Sequence, residues 1–214
     1  MGLVNMPSIV FESAKKQALA VRNRTINASD LLEAHFKQID KYNPKINAVV
    51  WQDREAAKEL AWQIDKETSM GKFRGPLHGV PVTVKESFNL SGAPTTWGDP
   101  CNIDNIATTD SDAVARFRSA GAIVFGKTNV PLNLVEWQTF NKIYGTTSNP
   151  WDQTRTPGGS SGGSAVSVSA FELKPTTAQA FLKSSYRPSP PSSSPAPCVL
   201  VLISTNNFSN ISNC

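Results

Sequence analysis

Cysteine is scarce in this 214-residue sequence, and Cys101, Cys198 and Cys214 stand at spacings that fit neither a disulfide framework nor a zinc site. The reading that remains is unpaired thiols in a reducing compartment. Long apolar runs are also missing: no stretch approaches the ~20 residues of a membrane span, and the first residues lack a charged segment followed by an apolar core. A cytoplasmic protein is therefore expected, and the Asn-x-Ser/Thr triplets at Asn23, Asn27, Asn89, Asn207 and Asn210 read as chance matches. Blocks of one charge are lacking as well. The formal net charge is +4, but Lys and Arg are interspersed with Asp and Glu, so no basic stripe points to nucleic acid. The two histidines, His35 and His78, have no partner at metal-ligand spacing. His35 falls on an apolar helical stripe and is read as packed, while His78 sits in a turn it can shape.

The hydrophobic fraction, 39%, is low for a chain this long. The deficit is uneven. After Lys183, Pro188, Pro190, Pro191, Pro195 and Pro197 are mixed with Ser189 and Ser192 to Ser194, a composition that cannot build a packed element. Two parts are expected: residues 1–171 as a globular unit and residues 172–214 as a Ser/Pro-rich, disordered or aberrant tail. Within the tail, Cys198 to Ile203 is apolar and, left exposed, an aggregation hazard.

Within the globular part, helices are predicted from Val10 to Val21, from Asn27 or Ser29 to a stop at Asn43-Pro44, after Asp53 as cap, and from Asp110 to Ala120. Leu31, Leu32, Phe36 and Ile39 give the second its buried stripe. Ala57, Leu60, Ala61 and Ile64 do so for the third. Strands are predicted from Ile46 to Trp51, Val80 to Val84 and Ala122 to Phe125, with Gly121 closing the helix before the last. Helices alternating with continuous apolar strands make the fold class α/β, a mixed and largely buried sheet covered by helices, in which catalytic groups gather at strand ends.

Two features carry chemistry. Lys85 follows Val80-Pro81-Val82-Thr83-Val84, and a lysine at the end of a buried strand loses hydration, which lowers its pKa from about 10.4 by up to several units. It then accepts a proton near neutrality. The second is Pro157-Gly158-Gly159-Ser160-Ser161-Gly162-Gly163-Ser164-Ala165, in which paired glycines let amides and small hydroxyls crowd one spot without Cβ clashes. A serine hydroxyl bonded to a neutral lysine can relay a proton; a serine without a base is a poor nucleophile.

Together with Gly75-Pro76-Leu77-His78-Gly79-Val80-Pro81-Val82-Thr83-Val84-Lys85-Glu86, Asp112-Ala113-Val114, Ala120 to Asn129 and Asn149-Pro150-Trp151, these residues resemble the amidase signature family of hydrolases over about Ala28 to Ala170. That resemblance implies cleavage of a small-molecule carboxylic amide by a Ser-Ser-Lys triad with no metal or organic cofactor. Lys85 would be the general base and Ser160 the bridging serine, which in the family follows a cis peptide bond. Gly158, Gly159, Ser161 and Gly162 would support the loop and bind substrate. The family's nucleophile lies in an Asp-x-Gly-Gly-Ser motif some two dozen residues past the bridging serine, and that motif does not occur here. Counting forward reaches Ser184, whose bulky surroundings do not favour the convergent amides of an oxyanion hole, and it is not assigned. Leu173-Lys174-Pro175-Thr176 resembles a family segment that follows the nucleophile, which suggests a frame shift or misjoined sequence. Two functions are set against each other: an amide hydrolase, one branch of which hands ammonia to an acyl-tRNA, and a catalytically inactive fragment. Partner subunits stay undefined.

Blander readings exist for each feature. An isolated strand-end lysine is usually exposed, and a Gly/Ser run is often a linker, but linkers seldom keep this fixed order. Gly121 to Thr128 formally matches a phosphate-binding loop, yet its four central residues are apolar and partly β-branched. They are the strand itself, so nucleotide binding is set aside.

Overall fold

The computed structural model describes residues 9–172. Residues 173–214, nearly all of the expected tail and with it Ser184, Cys198 and Cys214, lie outside the described residues, and so do the expectations placed there. Helix α1 (Ala14–Arg22) is capped by Ser13, whose Oγ accepts a bond from Lys16 N at 3.4 Å. It begins four residues later than the composition suggested, because that hydroxyl fixes the first turn. Helix α2 (Ala28–Ile46) buries Leu31, Leu32, His35, Phe36 and Ile39 on one stripe, as their spacing requires. Its cap comes from another helix. The carboxylate of Asp65, on α3 (Arg54–Ser69), accepts Ala28 N at 2.6 Å, Ser29 N at 3.2 Å and Ser29 Oγ at 2.6 Å. Asn27 occupies the cap position, but its side chain donates to Asp30 Oδ2 at 2.9 Å and caps no backbone amide.

Pro44 does not stop α2, contrary to the expectation from Asn43-Pro44. The proline sits inside the last turn, where few backbone bonds remain to be lost. Asn47, in the left-handed region at φ 49°, ends the helix instead. The Asn43 side chain then directs the exit: its Oδ1 accepts Ala48 N and Val49 N, and its Nδ2 donates to Val49 O. This holds the start of strand β1 (Val49–Gln52) to a short, late segment. Asp53 caps α3 by accepting Ala56 N at 3.0 Å, as read from the sequence.

Strand β2 (Pro81–Lys85), helix α4 (Asp112–Ser119) and strand β3 (Ile123–Thr128) complete the central unit. Gly121, at φ +91°, turns the chain out of α4. The sheet order is β1-β3-β2, with β3 in the middle, antiparallel to β1 and parallel to β2. All six residues of β3 are buried, so it reaches three residues beyond the predicted Phe125. Lys127 and Thr128 are polar and continue a strand whose apolar part alone was legible.

Helices cover both faces. On one, Leu31, Phe36, Ala61, Ile64, Ile123, Phe125 and Val166 form a continuous core, with the Phe36 and Phe125 rings edge to face at 5.3 Å. Each of these side chains other than Ala61 contributes on the order of 1.5–3 kcal/mol through burial. On the other face, Val84, Leu90, Ala93, Val114, Ala122 and Val124 pack together. The register of β2 on β3 shifts between Val82 and Thr83, after which Val84 pairs with Lys127 and Lys85 with Thr128. That irregularity decides the chemistry, because it sends Lys127 to the second face and Lys85 to the first. A two-residue ladder, β4 (Phe140–Asn141) with β5 (Gly145–Thr146), and helix α5 (Gly162–Ser167) follow. Among the described residues no helix is long and apolar enough to cross a membrane.

Candidate active site

Lys85 ends β2 and is 3% exposed. Its Nζ donates to Ser160 Oγ at 2.8 Å across 75 residues of sequence. Burial lowers its pKa from 10.5 to about 8, since removing water disfavours the charged amine. A sizeable neutral fraction exists near neutrality. A serine hydroxyl both donates and accepts, so the bond can reverse direction when the amine loses its proton.

Ser160 follows a cis peptide bond from Gly159. The loop around it is packed too tightly for side chains. Gly158 has φ +86°, its carbonyl accepts Thr139 Oγ1 at 2.8 Å, and its amide donates to Thr156 Oγ1 at 3.1 Å. A Cβ at Gly159 would lie 2.8 Å from Glu136 O, one at Gly162 would overlap Thr139 Oγ1, and one at Gly163 would overlap the Asn129 backbone. The glycine run is therefore a seat pressed against the 136–139 segment and the end of β3. Ser161 opens α5, and its carbonyl accepts Ala165 N at 3.0 Å.

The structure thus brings Lys85 and Ser160 into contact and places Gly158, Gly159, Ser161 and Gly162 in one loop around them. Four polar residues of this neighbourhood received no role from the sequence: Glu86, Thr128 and Asn129, which stand in the quoted motifs, and Thr139. Each is buried and each holds a neighbouring segment in place. Glu86 accepts Thr96 N, Thr96 Oγ1 and Trp97 N at 2.6, 2.8 and 3.0 Å, and Tyr144 OH at 3.3 Å. Asn129 bonds Gly145 O and Thr147 Oγ1 through Nδ2 and accepts Asn141 Nδ2 through Oδ1. The signal was available, because three polar residues in a row, Lys127-Thr128-Asn129, end a strand that is apolar up to Phe125.

His78 is fully buried in the turn before β2. Its Nδ1 accepts Arg74 N at 3.2 Å, which leaves Nε2 to carry the proton toward Thr68 Oγ1 at 2.8 Å, and Thr68 passes its own to Ile64 O at 2.8 Å. It anchors the turn to the end of α3, away from the Lys85 amine. Burial lowers its pKa, in keeping with the neutral ring this bonding needs.

The fold is α/β, a helix-covered mixed sheet with a desolvated strand-end amine held against a serine in a glycine seat. The amidase family pattern matches residues 30–174, and the chain belongs to that family. It is 42% identical over 158 residues to an indoleacetamide hydrolase of Bradyrhizobium diazoefficiens, covering 74% of this chain and 30% of that protein. It is 36% identical over 167 residues to a subunit of the glutamyl-tRNA(Gln) amidotransferase of Acidothermus cellulolyticus, covering 78% and 33%. The solved 6-aminohexanoate cyclic dimer hydrolase, complexed with substrate, superposes with a TM-score of 0.69 at 32% identity over 79% of this chain and 33% of its own. The chain spans about a third of the length of these relatives.

Proposed function

We propose that residues 1–171 form the N-terminal part of an amidase domain and carry the proton-handling half of amide hydrolysis, with Lys85 as general base and Ser160 as relay. The carrying observation is the 2.8 Å contact between a buried amine and a hydroxyl in a glycine seat. In this scheme a serine hydroxyl attacks the amide carbon and passes its proton to Ser160 Oγ, while Ser160 passes its own to the Lys85 lone pair. The proton returns by the same route to the leaving nitrogen, the C–N bond breaks, and an acyl-enzyme remains. Water then adds to the acyl carbon and gives a proton to the relay; the ester C–O bond breaks, the relay returns that proton to the serine oxygen, and the acid leaves. Gly158, Gly159, Ser161 and Gly162 shape the floor on which the carbonyl lands. The substrate is a small carboxylic amide, and the scheme uses no metal or organic cofactor. The two curated relatives described above, a hydrolase of a free amide and a component of an amidotransferase, support amide chemistry without dividing those branches.

A second reading has one observation in its favour: the 214 residues contain no Asp-x-Gly-Gly-Ser. The chain then keeps the base and relay but does not turn over. Assay of the purified protein against aliphatic and aromatic amides, beside Lys85→Ala, separates the two. Hydrolysis that disappears in the variant supports the first. Hydrolysis equal in both overturns the role of Lys85, and no hydrolysis by the unaltered protein supports the second.

A further inference from the structure

The hydroxyls of Thr128 and Ser164 have no part in the scheme above, yet they sit beside it. Thr128 is fully buried at the end of β3, directly opposite Lys85 in register. Its Oγ1 donates to Val84 O at 3.3 Å and lies 2.7 Å from Ser164 Oγ. A hydroxyl has one proton, so with Thr128 donating to the carbonyl, Ser164 donates to Thr128. Val84 immediately precedes Lys85, and Ser164 lies one helical turn past Ser160. The bonds therefore close a ring: Lys85 amine to Ser160, chain to Ser164, Ser164 to Thr128, Thr128 to Val84, chain to Lys85.

We propose that Ser164 and Thr128 are positioning residues, closing this ring so that the Ser160 hydroxyl stays against the Lys85 amine. The role rests on the reading of Lys85 as the base and deepens it. Two further contacts explain why a side-chain clasp is needed there. Gly163 meets the Asn129 backbone so closely that no Cβ fits, so α5 is brought onto the end of β3 by shape. Shape alone leaves the short helix free to slide along the strand. The Ser164–Thr128 bond fixes that sliding coordinate, as the Thr139 bond to Gly158 O fixes the near side of the loop. Without the clasp Ser160 drifts, water reaches the amine, and its charged form regains hydration.

The test is the pH midpoint of Lys85 acetylation by trace acetic anhydride, read on its peptide by mass spectrometry, in the unaltered protein, Ser164→Ala, Thr128→Val and Thr128→Ser. The midpoint reports the amine's own titration whatever its accessibility, and a merely structural loss of stability would not move it. We expect Ser164→Ala and Thr128→Val to raise it by about one unit, a roughly fivefold smaller neutral fraction near the unaltered midpoint. Thr128→Ser, which keeps the hydroxyl, should track the unaltered protein. If Thr128→Val does not fold, Ser164→Ala decides alone, since it removes one hydroxyl at a half-buried helical position where alanine is favoured. An unaltered midpoint at the ordinary 10.5 sinks the base assignment and this inference together. An unaltered midpoint near 8 that neither variant moves overturns this inference alone.

Discussion

Two buried lysines sit on adjacent strands, one residue out of register, and meet different partners. Lys85 and Lys127 are 3% and 0% exposed, and burial lowers each from 10.5 to about 8, with the charge of Glu86 working against the shift at Lys127. The register shift in β2–β3 turns them to opposite faces. Lys127 donates to Pro94 O and Thr95 Oγ1, and its neighbour Glu86 holds Thr96 and Trp97, so the pair grips the 94–97 segment from two sides. A carbonyl only accepts, so one Lys127 N–H stays committed to Pro94 O in either charge state, whatever the Thr95 hydroxyl does. Lys85 faces a hydroxyl that can reverse roles. In the proposed scheme, what separates an anchor from a base is therefore the set of partners at the amine, since burial lowers both to about 8.

The largest effect expected is on stability at Lys127. Lys127→Met leaves Pro94 O and the Thr95 hydroxyl without their donor and removes a positive charge near Glu86, and should cost about 2–4 kcal/mol in urea unfolding. A cost below ~1 kcal/mol would erase the contrast. Gly163→Ala comes next. It forces α5 off the end of β3, and we expect a loss of about 1–3 kcal/mol together with a raised Lys85 midpoint, measured by thermal melting and lysine-resolved NMR.

Much of this was legible in advance. The apolar stripe of α2, the Asp53 cap, the Gly121 exit and the strand ending at Lys85 follow from local pattern, and the glycine run announces a seat because nothing larger fits. What escaped came from elsewhere in the chain. Asp65 caps a helix 36 residues away, Asn43 reaches past its own helix, and β3 keeps its direction through Lys127 and Thr128 because distant loops satisfy their polar ends. No periodicity reports a partner supplied from another element. Pro44 misled for a related reason, since its cost depends on how many backbone bonds remain downstream.

Intermediate in size is the pH dependence. A lysine whose folded pKa is lowered binds fewer protons in the folded state than in the unfolded one, so stability rises with pH between about 8 and 10.5. Each amine contributes up to ~1.4 kcal/mol per pH unit. Lys85→Met should remove about half of that slope, and an unchanged slope would deny the shift at Lys85. On the acid side, buried His35, held at about 4, makes stability fall as pH drops from 6.5 toward 4. The smallest expected effect is the stability change in Lys85→Met at neutral pH, within ~1 kcal/mol, because an apolar chain replaces an amine whose one bonded partner can turn to water. A cost as large as that of Lys127→Met would make Lys85 a second anchor.

The most direct measurement is the titration of the Lys85 side chain by NMR of selectively labelled lysine in the unaltered protein. A midpoint near 8 is predicted, with the Lys85 side chain held against Ser160 on both sides of it. A midpoint at 10.5, with no sign of the Ser160 contact, would contradict the account.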